Sequence, residues 1–165
     1  MLVIGIDPGT AITGYGLVRE KEDGSLKVED FGVIETPAKL AMPERLLQLH
    51  SQLQEIVNLH HPESGAVEKL FFQRNVRTAI SVGQARGVAL LVLAQAQVPV
   101  SEYSPMEIKQ AVAGYGGADK NQVQQMVRAL LGLSEIPRPD DAADALAVAI
   151  CHVHSAPMKA YYEEE

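Results

Sequence analysis

Asp7 stands at the end of the apolar run LVIGI, and Glu68 interrupts a second apolar segment, GAVEKLF. A third acidic group, Asp140, Asp141 and Asp144, opens the alanine-rich run DDAADALAVAI. Carboxylates are seldom buried without a partner, yet the residues around these read as core. D-P-G-T also suits a β-turn with Asp at its first position, and Asp140 and Asp141 suit the cap and first turn of a helix. Glu68 and Asp144 have no such local role. Asp144 lies three residues beyond Asp141, on the same helical face, and Arg138 is its one near neighbour of opposite sign. If Asp7, Glu68, Asp141 and Asp144 converge, their like charges raise one another's pKa, and a divalent cation resolves the conflict. Hard oxygen donors without Cys or paired His favour Mg²⁺ or Mn²⁺ over Zn²⁺. Two such ions about 3.5 to 4 Å apart activate a water and stabilise a leaving oxygen in phosphodiester cleavage. The chemistry implied is that of a metal-dependent nuclease.

The elements that must position these acids follow from periodicity. Residues 2–6 read as a buried strand, DPGT as a turn, and TGYGLV as its hairpin partner. A third strand is expected over 26–35, entered through the turn at Asp23 to Ser25. From Met42 to His60, Leu46, Leu49, Leu53, Ile56 and Val57 recur at helical spacing. GAVEKLF is a short strand, and a long helix is expected over 76–95. A strand at 98–103 follows, then helices near 105–113 and 119–131, and a last helix over 140–155. An acidic tail of about 157–165 ends in Glu163, Glu164 and Glu165. Three neighbouring strands followed by alternating helices and strands predict an α/β protein, a mixed five-stranded sheet flanked by helices in one domain over 1–165. Ligands usually bind outside the carboxyl ends of parallel strands, where Asp7 and Glu68 fall. A strand end is also a rigid mount for a ligand.

With 165 residues, 47% hydrophobic and 21% charged, the chain suits one globular domain with a real core. It has no run of about 18 apolar residues and no basic stretch ahead of an apolar N-terminus, so neither a membrane span nor a secretory signal is expected. A lone Cys151 cannot form an internal disulfide, which suits a reducing compartment, and the cytoplasm is the expected location. The net charge of -7 argues against a general nucleic-acid binder. Its distribution changes that reading: residues 69–128 hold 7 basic and 3 acidic side chains, while the segments on either side are acidic. A basic middle third is a candidate electrostatic footprint.

The motifs GIDPGT with TGYG, AVEKLFF, QARGVA, IKQAVAGYG, KNQVQQMVR and DAADALAVAI occur in this order over nearly the whole chain. Together they resemble the RuvC family, bacterial Holliday-junction resolvases of the RNase H-like superfamily. The resemblance implies an RNase H-like three-layer fold, a homodimer, and paired symmetric nicks across a four-way DNA junction. It also implies two Mg²⁺ ions per subunit, with Mn²⁺ as a substitute, and a branch-migration complex of RuvA and RuvB type as partner. By match, Asp7, Glu68, Asp141 and Asp144 take the positions of the family's catalytic metal ligands. Asp140 falls outside that pattern and reads as a helix cap. Phe71 matches an aromatic that stacks on a base near the crossover, a contact worth ~1 to 3 kcal/mol, while Phe72 reads equally well as core.

Arg74 and Arg77 lie in the polar segment QRNVRT, suited to a loop entering a helix, and read as phosphate contacts. Lys109 and Lys120 match two basic positions near the family's active centre. A cation in the first turn of a helix opposes the helix dipole, whereas the same end offers amides to an anion; a phosphate beside Lys120 satisfies both. Gly83, Ala85, Gly87 and Ala89 let their helix lie close to the sheet or, by the resemblance, form the dimer contact. His152 and His154, two residues apart, cannot share a helix face and read as packing or surface residues.

Three other readings carry less. D-x-G-T also resembles the phosphate loop of sugar kinases and actin-like proteins, but those need a second lobe for which 165 residues are too few. A junction-binding protein without catalysis predicts a missing acid, and all four are present. Another nuclease of the same superfamily fits DAADALA and KNQVQQ less well.

Overall fold

Alternation along β1 (Leu2–Asp7) sets the architecture. Leu2, Ile4 and Ile6 join one buried cluster and Val3 the other, on the opposite face of the sheet. The computed structural model describes residues 1–69 and 76–163, with side chains through 157. β1 is followed by β2 (Ile12–Glu20), β3 (Leu26–Glu35), α1 (Met42–His60), β4 (Ser64–Glu68), α2 (Val76–Gln95), β5 (Val100–Tyr103), α3 (Pro105–Ala113), α4 (Lys120–Leu130) and α5 (Asp140–Glu163). The five strands form one sheet in the order β3-β2-β1-β4-β5. β1 to β3 pair antiparallel, whereas β4 and β5 run parallel to β1.

On the face of Leu2, Ile4 and Ile6, α1 and α2 pack through Leu49, Leu53, Val57, Ala85, Ala89, Val92 and Leu93. α2 is long and apolar enough, by length and composition, to cross a membrane, but these alanines and its Val92 and Leu93 are spent on the sheet. On the face of Val3, α3, α4 and α5 pack through Ile108, Val112, Val127, Leu131, Leu146 and Ile150. Helices on both faces make the three layers expected from the element order.

Several boundaries differ from the sequence reading: β2 runs over Ile12–Glu20 rather than 13–18, β4 over Ser64–Glu68 rather than 65–71, and β5 and α5 differ at one end each. β5 starts at Val100 rather than Val98, because Pro99 has no N–H to give to the ladder, although its carbonyl accepts from the Gly65 N–H at 2.8 Å. α5 continues through Pro157 to Glu163, where a non-helical tail was expected from about 157. Proline removes one intrahelical donor, yet the helix on either side is long enough to carry it.

Candidate active site

Parity brings the first two acids to one face. Asp7 follows Val3 and Gly5 on alternate positions of β1, so it projects toward α5. On β4, Ala66 belongs to the α5-side core and Val67 to the opposite one, so Glu68 also projects toward α5. Ile6 pairs with Val67, which places Asp7 and Glu68 side by side at the carboxyl edge of the sheet.

The last two acids arrive by close packing. A side chain on Gly5 would collide with the Ala145 carbonyl and come within 2.6 Å of the Ala149 nitrogen, and one on Gly14 would collide with the Asp141 carbonyl. Leu146 fills the space over Gly16. The missing side chains let α5 lie directly on β1 and β2, and Ala142, Ala143 and Ala145 are buried in that contact. Asp141 and Asp144, one turn apart, then hang over Asp7. Carboxylate oxygens of Asp7, Asp141 and Asp144 all lie within 4.8 Å of one another.

Glu68 stands outside that triad. It lines two adjoining clefts, one with Asp144, Lys109, Lys120 and Ile108, the other with Asp7, Pro8, Lys69 and Arg86. Its coupling to the triad is electrostatic: burial, then the Asp144 charge, raises the Glu68 carboxyl, and Lys109 offsets part of this. Asp7 is pushed up to about 7, first by burial and then by Asp144, Glu68 and Asp141, with Lys120 opposing. Burial also raises Asp144, against Lys120 and with the charges of Asp141 and Asp140. Among the described residues, Lys109 and Lys120 thus do not offset the combined effect of burial and mutual repulsion on these carboxyls. Clustered carboxylate oxygens fit a hard divalent cation, whose charge would favour the ionised form of Asp7 that burial and its acidic neighbours disfavour.

Lys109 and Lys120 fall where the sequence placed them, lining the cleft with Glu68 and Asp144. Arg77 is exposed in the first turn of α2 and is not among the described residues that line either cleft. Phe71, Phe72 and Arg74 lie outside the described residues. α4 begins at Lys120, and Asp119 caps it: its Oδ1 accepts the Gln122 N–H at 2.8 Å, taking an amide that had been expected to face a phosphate. Asp140 is not the cap of α5. The Pro139 carbonyl accepts the N–H groups of Ala142 and Ala143 at 3.0 and 3.3 Å, while the Asp140 carboxylate turns to Lys120, Gln124 and Arg138. Ala85 and Ala89 are buried against the sheet, whereas Gly87 faces open space. His152 is a core residue, 2.8 Å from the Tyr103 hydroxyl and 3.0 Å from Ser64 Oγ.

Lys69 and Arg86 were not anticipated. Lys69 lies 4.0 Å from Glu107. The Arg86 guanidinium pairs with Glu102, and its buried Nε finds no hydrogen-bond acceptor among the described residues. A charge inside the small-residue stretch QARGVA was the available signal for Arg86.

A mixed sheet in this order, covered on both faces and carrying carboxylates at the ends of β1 and β4 and the start of α5, defines an RNase H-like fold with an acidic centre suited to divalent cations. The family model described as "Crossover junction endodeoxyribonuclease RuvC" matches residues 3–152, and the chain belongs to the RuvC family. It is 60% identical over 157 residues to the crossover junction endodeoxyribonuclease RuvC of Chloroflexus aggregans, covering 95% of each chain. A solved structure of Thermus thermophilus RuvC is similar with a TM-score of 0.90 and 41% identity, over 96% of this chain and 97% of that one. The T. thermophilus RuvC in complex with a Holliday junction substrate is similar with a TM-score of 0.88 and 39% identity, over 96% of each chain.

Proposed function

We propose that this protein is a structure-selective endonuclease that resolves Holliday junctions by paired symmetric nicks, acting in DNA recombination and repair. The observation that carries this is the convergence of Asp7, Asp141 and Asp144 within 4.8 Å, with Glu68 beside them on the edge of both clefts. These four residues would hold two divalent cations, Mg²⁺ or Mn²⁺. Bound there, such ions would supply activation of the attacking water and stabilisation of the departing 3′ oxygen, which would leave a 5′ phosphate. Asp7 at the end of β1 and Glu68 at the end of β4 orient the site through the rigidity of the sheet, and Asp141 and Asp144 close it from the helix.

Lys109 and Lys120, in the cleft beside the acids, would take the phosphates flanking the scissile bond. Phe71 would stack on an unpaired base at the crossover, and Arg74 and Arg77 would contact phosphates of the arms. A second copy of the chain fits the two-fold symmetry of a junction. α2 supports that reading, since Val76, Ile80 and Leu91 are exposed apolar residues and share one helical face with the open Gly87. A branch-migration complex of RuvA and RuvB type and a cytoplasmic location complete the reading.

The test incubates purified protein with a synthetic four-way junction and with a linear duplex of matching sequence, with and without Mg²⁺. Paired cuts confined to the junction and dependent on the metal are expected. Cutting of both substrates alike, or cutting in EDTA, overturns the proposal.

A further inference from the structure

Asp140 is the acid of the DDAAD run that the metal cluster leaves out. Its two oxygens have separate partners. Oδ1 accepts from Gln124 Nε2 at 3.2 Å and from Arg138 Nη1 at 3.2 Å, while Oδ2 lies 3.3 Å from Lys120 Nζ. Gln124 is buried one turn beyond Lys120 on α4, so Asp140 grips one face of that helix at two successive turns. Lys120 Nζ is also 3.7 Å from Asp144 Oδ2. The ammonium is thus held between an acid of the cluster and an acid outside it, closer to the latter.

A lysine is a compact charge on a flexible stem, and an untethered one beside Asp7, Asp141 and Asp144 would settle into the cluster. There it would compete with a divalent cation for Asp144 and be unavailable to DNA. We propose that Asp140 is a positioning residue: it tethers the Lys120 ammonium at the rim of the active-site cleft, so that a phosphate meets a cation already in place while Asp144 remains available to a metal ion. This rests on the reading of the site given above. The contact is half exposed, and such pairs contribute little to folding stability; its consequence is where the ammonium sits.

The test is a double-mutant cycle of the full-length wild type, Asp140→Asn, Lys120→Gln and the double variant, with Asp140→Glu as a charge-retaining control. Mn²⁺ binding is followed without DNA by the electron paramagnetic resonance of the free ion. Asp140→Asn is expected to weaken Mn²⁺ binding about threefold or more in the wild-type background and to leave it unchanged in the Lys120→Gln background, with Asp140→Glu close to wild type. Equal weakening in both backgrounds, which would mean that Asp140 acts through its own charge on the ion, overturns the proposal, and so does no change in either.

Junction affinity in EDTA provides a second reading. Lys120→Gln is expected to cost about threefold more affinity when Asp140 is present than when it is Asn, and equal losses overturn the tether. If the wild type binds no Mn²⁺ at all, the metal-site reading fails, while the junction-affinity comparison still decides the role of Asp140.

Discussion

The Asp141 carbonyl occupies the space that a side chain on Gly14 would need, and Gly14 is the cross-strand partner of Asp7. One backbone-to-backbone contact therefore fixes how far the start of α5 stands from the end of β1. Gly14→Ala must push α5 outward, at a cost of about 1 to 3 kcal/mol for overpacking. Urea denaturation should show that loss, and Mn²⁺ binding should weaken by about an order of magnitude as Asp141 and Asp144 withdraw. A variant with the stability loss but unaltered Mn²⁺ affinity would contradict this account of how the acids are brought together.

Asp7 gives the protein a particular pH dependence. Its carboxyl ionises near 3.8 in an unfolded chain and at about 7 in the folded, metal-free protein. Stability from this group is complete below about pH 3.8 and is lost as pH rises through about 7. Asp7→Asn cannot ionise, so it should raise the metal-free Tm by several degrees at pH 8 and leave it nearly unchanged at pH 4. The same substitution should abolish nicking while junction binding persists. A Tm difference that is equal at the two pH values would remove the electrostatic argument, and retained nicking would remove Asp7 from the catalytic set.

Lys109 and Lys120 share a cleft with Glu68 and Asp144, where each would neutralise one phosphate. Replacing either with Ala should weaken junction binding and reduce the slope of log affinity against log salt by about 1. Titrations between low and moderate salt read this directly. An unchanged slope would return that lysine to the role of a counter-charge for the acids.

Phe71→Ala should reduce cutting with Mn²⁺ binding intact, because stacking at the crossover contributes ~1 to 3 kcal/mol. Junction cleavage rates measured alongside metal affinity separate the two effects. Equal loss of both would make Phe71 a core residue, and no loss in either would leave it without a part in the reaction.

The fold was largely legible in the sequence because its elements have clean periods. β3 and α1 have the boundaries that alternation and helical spacing predict, whereas ends of β2, β4, β5 and α5 lie elsewhere than expected. Glu68 and Asp144 stood out in the sequence because each interrupts an apolar segment, whereas Asp7 and Asp141 also fit a turn and a first helical turn. What the sequence did not yield depends on partners far apart in the chain. Asp140 looked like a cap because its local position at the start of α5 suits one; its actual partners, Lys120 and Gln124, lie on α4. The pairing of Arg86 with Glu102 joins α2 to β5 and leaves no local trace. Glu68 belongs to the clefts but not to the close triad, a distinction of geometry that spacing along the chain does not contain.

Asp7, Asp141 and Asp144, with Glu68 beside them, would act together as one cation-holding cluster. Anomalous diffraction from a crystal soaked in Mn²⁺ tests it most directly. Manganese peaks are expected within direct coordination distance of carboxylate oxygens from Asp7, Asp141 and Asp144, and are expected to be absent from the same soak of Asp7→Asn. A soaked wild-type crystal with no peak at these residues, or with manganese bound only elsewhere, would contradict it.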